Sequence, residues 1–463
     1  MNPLVAEALA ALPEDLAAEP APLEEALRRG VPVGRLQRGW ILGSLQVRIA
    51  VGYLLARLRA VLSSEDEQAR ARNEANLQAA VRLLGTMGFL RGGFQKLGQA
   101  LANYPTLVPD EFIEVLGALH FEAPPMHFSL LRELVRNELG GEPEELFERF
   151  DTRAFAAASL GQVHRARLKS GEEVAVKIQY PDIARTIRDD FKNLSLLLLP
   201  LRFTEGWEGL RVQLEDVREM LERETDYQAE AQATRQAREH LADLPEIVVP
   251  RVIEQHSTAR VLTTEYLPGA HLEEFLRRNP SQEQRDRYGR LFLEAVFRLF
   301  DRHDFVWTDP HPGNVVFLDD GRLGLIDFGS VRVFDEEELR CVRLLERALR
   351  GDEVAYEEGL RQATLAASGG GRDADQLRLA REYCEWLWEP LRQPGIFDLG
   401  SDYFPRGVRI FDETLRKRFT RGAPVNTWIN RMFLGARSIC YRLGARVDVH
   451  AINEREMVTP PLG

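Results

Sequence analysis

The sequence predicts an α+β fold of two lobes, in which a smaller β-bearing lobe precedes a larger lobe that is mostly helical. Strand-like alternation of apolar and polar residues is concentrated in residues 159–179, whereas helix-like spacing dominates after Pro268. A linker-like segment, Glu265–Ala270, joins the two halves. With 463 residues, 44% of them hydrophobic, the chain is long enough for two or three structural units.

A helical extension is predicted ahead of the two lobes. Residues 1–35 are rich in Ala, Pro and Glu, which is typical of a flexible lead-in. Helical spacing follows and is interrupted by glycines and by the Pro124–Pro125 pair. The predicted divisions are a lead-in over 1–35, a helical extension over 36–140, a β-bearing lobe with inserted helices over 141–267 and a helical lobe over 268–463.

Local patterns predict the elements of each lobe. The run Glu173–Gln179 alternates as a strand should, and Gly171 starts the turn before it. Helix-like spacing returns after the Pro268–Gly269 break. Strands are predicted at 159–168, 173–179, 247–254 and 260–266, and helices at 128–139, 182–243, 271–278, 281–302, 335–367, 373–392, 405–420 and 426–443.

Residues 309–329, with the sequence DPHPGNVVFLDDGRLGLIDFG, carry the clearest functional pattern. Asp309 and Asn314 are five residues apart, which is the spacing of Asp and Asn in the catalytic loop of protein kinases. Asp327 begins an Asp-Phe-Gly motif, and two short apolar runs around a turn separate it from Asn314. A β-hairpin is therefore predicted, with Asn314 and Asp327 close enough to share a magnesium ion.

These residues favour phosphoryl transfer from ATP. Asp309 would orient an attacking hydroxyl, while Asn314 and Asp327 would hold Mg²⁺ on the phosphates. A lone Asp-Phe-Gly, or a lone Asp–Asn pair, is equally typical of an ordinary turn. The spacing around a hairpin is what favours a nucleotide–metal site.

Lys177 is the candidate phosphate-binding lysine. It lies in the predicted strand, where alternation places Ala175 and Lys177 on one face. The small Ala175 would lie against an adenine while Lys177 reaches the phosphates. A lone strand lysine is usually solvated, so the position upstream of the metal hairpin is what favours a catalytic role.

A stretch of small residues before that strand is a candidate nucleotide loop. Protein kinases typically carry glycines here, so that backbone N–H groups approach the phosphates. This chain has alanines, whose Cβ atoms restrict the approach, and the string alone would be a small-residue turn. The candidate nucleotide-binding residues are Ala156, Ala157, Ala158, Ser159, Gly161, Val163, Ala175 and Lys177, with Glu265 and Leu267 in the linker-like segment.

Two further motifs indicate no function by spacing alone. A helix predicted over 215–240 offers Glu224, Asp226 and Glu230 as partners for a lysine, but most such helices have a solvated acidic face. Lys96 and Gln99, in Lys-Leu-Gly-Gln, fall on one helical face and would by themselves be an exposed polar stripe.

Together these motifs resemble the UbiB/AarF/ADCK family of atypical, protein-kinase-like proteins over residues 80–445. The resemblance implies a bilobal protein-kinase-like fold, with a β-containing N-lobe, a helical C-lobe and an N-terminal helical extension over the nucleotide cleft. The matching residues are Lys96, Gly98 and Gln99 of the KxGQ motif, Ala156–Gly161 of the alanine-rich loop, the nucleotide lysine Lys177, Glu224 and Asp226 of the ExD motif, the helix glutamate Glu230, and Asp309, Asn314 and Asp327 of the catalytic and metal loops. The resemblance makes Glu230 the partner of Lys177 and thus a further nucleotide-binding residue.

The resemblance also implies a restrained mechanism. The KxGQ helices would fold over the cleft, Lys96 would reach Glu224 and Asp226, and protein phosphorylation in trans would be hindered. What the family implies instead is binding of ATP or ADP with Mg²⁺, slow ATP hydrolysis, and action on a small or lipid-like acceptor. Several family members support ubiquinone and other isoprenoid-lipid pathways.

One departure from the family pattern lies next to the catalytic loop. Family members usually have His-Ala-Asp before the HPGN run, where this chain has Trp307-Thr308-Asp309. Trp307 is expected to remove a polar group that packs beneath the loop, which leaves a nucleotide-binding pseudokinase regulator as one alternative. Another alternative is an aminoglycoside- or choline-kinase-like enzyme, against which the KxGQ motif and the alanine loop argue.

Composition limits the partners. The net charge of −12, from 60 basic and 72 acidic residues, argues against a nucleic-acid binder. No signal peptide or transmembrane helix is visible, which predicts a cytoplasmic protein and leaves peripheral membrane contact open. Cys341, Cys384 and Cys440 are not in metal-ligand spacing and are expected to be reduced thiols. The predicted partners are a nucleotide and a small-molecule or lipid-like acceptor, and the oligomeric state is left open.

Overall fold

The computed structural model describes residues 128–457, apart from 159, 186, 189–190, 193–210, 212–214, 216–217, 220, 366–373 and 417–423. The predicted lead-in, most of the predicted extension, the KxGQ residues Lys96, Gly98 and Gln99, and Ser159 lie outside the described residues. The chain forms two compact units. The first holds the described residues up to Asp226 and Thr258–Leu262, and the second holds Tyr227–Ser257 and the described residues from Thr263 onward.

Short strands and helices alternate along the described chain, so the predicted α+β fold class is confirmed. None of the described helices is long and apolar enough to cross a membrane. The strands are β1 (Phe147–Phe150), β2 (Ala156–Ala158), β3 (Gly161–Leu168), β4 (Glu173–Gln179), β5 (Ile247–Val248), β6 (Val261–Glu265), β7 (Gly269–Ala270), β8 (Phe305–Trp307), β9 (Val315–Leu318), β10 (Leu323–Leu325), β11 (Val331–Val333), β12 (Phe397–Asp398) and β13 (Arg446–Val447). The helices are α1 (Phe128–Leu139), α2 (Pro143–Leu146), α3 (Tyr227–His240), α4 (Leu272–Arg277), α5 (Gln282–Phe297), α6 (Glu336–Leu349), α7 (Glu353–Leu365), α8 (Ala374–Arg392), α9 (Tyr403–Arg416), α10 (Pro424–Leu443) and α11 (Val449–Glu456).

An antiparallel sheet organises the first unit. Its strands follow the order β1-β3-β4-β6, with β2 paired to β3. Along β4, the buried residues Val174, Val176 and Ile178 alternate with half-exposed ones, as the sequence predicted for 173–179. This alternation gives the strand one apolar, covered face and leaves the other available for polar side chains.

The second unit is built around helix α5 and a four-stranded sheet of order β5-β10-β9-β7. Helix α5 begins at a capping box formed by Ser281 and Gln284, and a π-helical turn, Arg298–Arg302, continues it toward β8. The largest fully buried side chains of this unit include Phe292, Trp307 and Phe328. The hydrophobic core therefore lies directly beneath the segment that carries the predicted catalytic residues.

A buried ion-pair cluster fixes the π-helical turn. The side chain of Glu456 is fully buried and pairs with Arg298, and Arg302 and Arg455 approach it at 2.9 Å. Burial alone raises the pKa of Glu456, but hydrogen bonds from Arg298 and Arg455 outweigh burial and hold that pKa below its usual value. Helix α11 is thereby tied to the segment that leads into β8.

Two predicted elements of the second unit are wrong in extent. The strand predicted over 247–254 is only β5, because Pro250 has no N–H with which to extend a ladder, and a 3₁₀ turn follows at Glu254–His256. The helix predicted over 335–367 is two helices, α6 and α7. Gly351 separates them with a φ of 92°, a conformation that glycine adopts at little cost.

Candidate active site

The predicted β-hairpin carries the candidate metal residues. Strands β9 and β10 pair antiparallel, with Val315 opposite Leu325, so the hairpin prediction is confirmed. Every residue of both strands is buried. The turn between them ends at Gly321, whose φ of 85° suits glycine. A rigid, apolar hairpin thus sets the distance between the residues at its two ends.

Hydrogen bonds hold the ends of the hairpin together. The N–H of Ile326 donates to the carbonyl of Asn314 at 3.1 Å. Asn314 Nδ2 donates to the carbonyl of Asp309 at 3.1 Å, and Asp327 Oδ1 accepts the N–H of Gly329 at 2.8 Å. These hydrogen bonds place Asp309 and Asn314, which precede β9, next to the segment of Asp327, which follows β10. Amide and carboxylate oxygens at this point are the donor type that Mg²⁺ prefers.

Glu230 lies against the Asp-Phe-Gly motif from helix α3. Its side chain is buried. A Cβ on Gly329 would lie 3.1 Å from Glu230 Oε2 and 3.2 Å from Asp327 Oδ1, so glycine is what leaves room for two acidic side chains here. The structure places the predicted helix glutamate beside Asp327, the candidate metal residue, in the second unit.

Trp307 binds the backbone of the same motif. Its Nε1–H donates to the carbonyl of Asp327 at 3.0 Å. The indole is 1% exposed and packs on Phe328 and Phe292, with ring centroids 5.5 and 6.1 Å away. The expectation that Trp307 removes the polar group beneath the catalytic loop was wrong, because an indole N–H is itself a donor. Here that donor holds the Asp-Phe-Gly motif.

The chain after the motif is fixed to the chain before the catalytic loop. Strand β11 pairs with β8, and Val331 lies opposite Trp307. The backbone N–H and the hydroxyl of Thr308 both donate to the carbonyl of Ser330 at 2.9 Å. Ser330 and Val331, which follow the Asp-Phe-Gly motif, are therefore bound to Thr308 and Trp307, the two residues that precede Asp309.

A stacked histidine pair joins helix α3 to the turn before β8. The rings of His240 and His303 lie 3.9 Å apart with an interplanar angle of 15°, and His240 meets Phe305 edge-on. Burial lowers the pKa of both histidines, and two charged rings at this distance would also repel each other. The stacked rings support the position of the helix that carries Glu230.

In the first unit, Lys177 and the small-residue stretch occupy adjoining strands. Val163 on β3 lies opposite both Lys177 on β4 and Ala156 on β2. Directly paired residues of an antiparallel sheet share a face, so these three side chains form one cross-strand row. Ala175 shares the face of Lys177 by strand alternation. The structure thus groups these four candidate nucleotide residues.

The alanine-rich stretch is a tight β-hairpin, not an open loop. Ala158 lies opposite Gly161, and Ala157 lies opposite Gln162. The strand predicted to begin at Ser159 begins at Gly161, and a strand that the sequence did not predict precedes it. The alternating pattern of β2 was hidden because three successive alanines show no polar–apolar alternation.

Glu224 and Asp226 lie in a turn, so the single helix predicted over 215–240 is wrong at this point. The side-chain amide of Gln179 donates to the carbonyl of Thr225, between the two acids, at 2.8 Å. The ExD turn is therefore tied to the end of the strand that carries Lys177. No local pattern in the sequence predicts this role for Gln179.

Glu265 and Leu267 have structural partners in the second unit. A Cβ on Gly324 would lie 2.9 Å from Leu267 Cδ1, so Leu267 packs on the hairpin that carries Asp327. The N–H of Glu265 donates to the carbonyl of Arg251 at 2.9 Å. Contact of either residue with a nucleotide stays a prediction.

Helix α10 packs directly on the catalytic loop, which the sequence did not predict. A Cβ on Gly435 would lie 2.6 Å from Pro310 Cγ and 2.9 Å from the Pro310 carbonyl oxygen. One helical turn earlier, Arg431 Nη2 lies 4.0 Å from Asp309 Oδ1. Because the helix approaches so closely, Arg431 belongs to the immediate surroundings of the candidate catalytic aspartate.

We expect Gly435→Ala to lower the free energy of unfolding by about 1–3 kcal/mol, because the new methyl group overlaps Pro310 and must displace helix α10. This clash outweighs the gain of roughly 0.5–1 kcal/mol that alanine brings to a helix interior. Denaturant unfolding measures the change.

Gly359→Ala on helix α7 is the matched control. The nearest atoms to its added Cβ are side-chain carbons at 3.9 and 4.0 Å, so this variant should be as stable as the wild type or more stable. Equal stability changes for the two variants would show that helix α10 does not press on the catalytic loop as described.

The geometry defines a kinase-like protein, and comparison with known proteins identifies the family. Residues 118–358 match the ABC1 atypical kinase-like domain. The match covers just over half of the chain, which therefore belongs to this family of atypical kinase-like proteins, the UbiB/AarF/ADCK family that the motifs resembled.

Individual relatives agree with this assignment. AarF domain-containing protein kinase 1 of Xenopus laevis is 33% identical over 290 residues, which are 60% of this chain and 55% of that protein. The mitochondrial atypical kinase COQ8B of Rattus norvegicus is 29% identical over 428 residues, covering 90% of this chain and 80% of that protein. The chain thus spans about half the length of the Xenopus relative.

A solved structure shares the fold. It is a Mycobacterium tuberculosis protein in complex with erythromycin, and it is 29% identical to this chain with a TM-score of 0.54. The match covers 86% of this chain and 100% of the solved one.

Proposed function

We propose that the protein is an ATP-dependent phosphotransferase or ATPase that acts on water or on a small, lipid-like acceptor. The observation that carries the proposal is the hydrogen-bonded arrangement of Asp309, Asn314 and Asp327 at the ends of the hairpin strands, where the Trp307 indole also binds the Asp327 carbonyl. Phosphoryl transfer depends mainly on positioning and on charge neutralisation, and a rigid set of oxygen donors beside one carboxylate meets both needs.

The residues fit a magnesium–nucleotide site. Asn314 and Asp327 carry an amide oxygen and carboxylate oxygens at neighbouring ends of the two hairpin strands. That combination suits Mg²⁺, which is commonly held by one or two protein groups together with substrate phosphates. Bound Mg²⁺ would neutralise charge on those phosphates.

Two other groups complete the proposed chemistry. Asp309, whose side chain is 49% exposed, would orient the acceptor hydroxyl or a water and accept its proton. Lys177, in the cross-strand row with Val163 and Ala156, would bind nucleotide phosphates against a surface of small side chains. Two parts of the proposal rest on family resemblance. The KxGQ helices hinder protein phosphorylation, and the protein has a role near quinone or isoprenoid-lipid metabolism.

Turnover is favoured over a regulator that only binds nucleotide. The argument for such a pseudokinase was the loss of a polar group at Trp307. The indole N–H donates a hydrogen bond to the Asp327 carbonyl from this position, and the candidate catalytic groups are all retained. An intact motif supports an enzyme.

Magnesium-dependent ATP hydrolysis by the purified protein tests the proposal. The assay is run alone, with anionic liposomes, and with a phenolic acceptor, and Asp309→Asn is the control. Turnover that needs Mg²⁺ and falls in the variant supports the proposal. Nucleotide binding without turnover under all three conditions contradicts it and favours the regulator.

A further inference from the structure

The backbone of Asp309 and its carboxylate are held by different groups. The backbone carbonyl accepts hydrogen bonds from the N–H of His311 at 2.8 Å and from Asn314 Nδ2 at 3.1 Å. The carboxylate is 49% exposed and forms an ion pair with Arg431, whose Nη2 lies 4.0 Å from Asp309 Oδ1. Within the described part of the chain, Arg431 is the one basic side chain paired with Asp309. The loop therefore fixes the backbone, and Arg431 is the group that can fix the direction of the carboxylate.

Helix α10 brings Arg431 to this position. Gly435 lets the helix pack on Pro310 of the catalytic loop, and Arg431 lies one turn earlier. The Arg431 guanidinium also lies over the indole of Trp428, three residues before it on the same helical face, with its carbon 5.7 Å from the ring centroid. An indole face attracts a guanidinium and restricts its motion. Arg431 can therefore restrict Asp309 at little further cost in side-chain entropy.

The indole of Trp428 is also connected to the segment that follows the Asp-Phe-Gly motif. Arg332 on β11 lies over the same ring, 5.2 Å from its centroid, and forms an ion pair with Glu338 on helix α6. Strand β11 pairs with β8, which leads into Asp309. Trp428 thus joins helix α10 to the strand pair beside the catalytic loop, so the fold of the second unit sets the position of Arg431 relative to Asp309.

We propose that Arg431 is a positioning residue of the reaction: its guanidinium holds the Asp309 carboxylate in the orientation that accepts the proton of the attacking hydroxyl or water. The inference rests on the proposed function, because it assigns a further residue to that reaction. A general base acts only within hydrogen-bond reach of the proton, and an exposed carboxylate samples several orientations. A carboxylate has two oxygens, so the contact of Arg431 with Oδ1 leaves Oδ2 for the proton.

Arg431→Gln should lower magnesium-dependent ATP turnover about fivefold, the scale of one partly exposed ion pair. The loss should be smaller than in Asp309→Asn, because the base itself remains. The affinity for ATP with Mg²⁺, measured by calorimetry, should stay unchanged, because Arg431 acts through Asp309, which is not among the proposed phosphate or metal ligands.

Two further variants separate positioning from structural support. Arg431→Lys keeps a positive charge near the carboxylate and should retain part of the turnover that Arg431→Gln loses. Arg442→Gln removes an exposed arginine of the same helix that pairs with Glu273, and it should leave turnover at the wild-type value. Turnover in Arg431→Gln that equals or exceeds that of the wild type would overturn the proposal. Equal losses of turnover and of ATP affinity in Arg431→Gln and Arg431→Lys would also overturn it, because they would make Arg431 a structural residue.

Crystal structures of the wild type and of Arg431→Gln test the orientation without turnover. We expect a single side-chain conformer of Asp309 in the wild type and more than one in the variant, with Gly435 still in contact with Pro310. The same single conformer in both proteins would overturn the proposal. A conformer that depends on Arg431 in a protein without ATP turnover would refute the proposed function and leave the positioning contact intact.

Discussion

Asp309→Asn should lower magnesium-dependent ATP turnover by a factor on the order of a hundred to ten thousand, which is the usual range for losing a positioned general base. An amide keeps the size of the side chain but cannot take the proton of the attacking hydroxyl or water. The Asp309 backbone carbonyl accepts the hydrogen bond from Asn314 Nδ2, and this bond does not involve the substituted group. The backbone that positions Asn314 and Asp327 should therefore keep its conformation.

We expect Asp309→Asn to lower turnover without a comparable loss of nucleotide affinity. Nucleotide affinity, measured by calorimetry with Mg²⁺, should stay within a few fold of the wild type, while turnover falls, because Asp309 is not among the proposed phosphate or metal ligands. Asp402→Asn on the surface near helix α9 is a matched control, since that side chain is exposed and pairs only with Arg409 among the described ion pairs. Equal turnover in Asp309→Asn and the wild type would remove Asp309 from the mechanism.

Trp307→Ala should lower the free energy of unfolding by about 3–5 kcal/mol, the cost of truncating a large buried aromatic side chain. The indole is 1% exposed and lies between Phe292 and Phe328, so its removal opens a cavity in the core beneath the catalytic loop. The Asp327 carbonyl also loses its donor. Denaturant unfolding measures the loss.

Trp307→Phe separates packing from hydrogen bonding. Phenylalanine fills much of the same space but offers no N–H, so we expect a smaller loss of about 1–3 kcal/mol from the unsatisfied carbonyl and the reduced packing. Turnover should still fall, because the Asp-Phe-Gly backbone is no longer held. A Trp307→Phe variant with wild-type stability and turnover would show that the indole N–H has no positioning role.

Local patterns sufficed for much of the site. The hairpin of Val315–Leu325 was predictable because its apolar runs and its Asp-Asp-Gly turn are consecutive in sequence. The shared face of Ala175 and Lys177 follows from strand alternation alone. The family motifs then supplied roles for residues whose spacing left several options open.

These local patterns do not predict contacts between residues that are distant in the sequence. The donor on Trp307 could have been noted from its chemistry, but its acceptor lies 20 residues away. Arg431 reaches Asp309 only because Gly435 lets a distant helix approach Pro310, and no local pattern predicts that approach. The break between α6 and α7 was missed because helical spacing continues on both sides of Gly351. A single glycine inside such a pattern is often tolerated in a helix, so it did not by itself predict a break.

The most direct test of the central claim is the affinity of the wild type and of Asp327→Asn for ATP, each titrated with and without Mg²⁺. The account predicts that Mg²⁺ strengthens binding to the wild type and that Asp327→Asn abolishes this magnesium dependence, because the carboxylate beside Asn314 and Gly329 is the proposed metal ligand. Magnesium-dependent affinity that is unchanged in Asp327→Asn would contradict the assignment of the metal–nucleotide site.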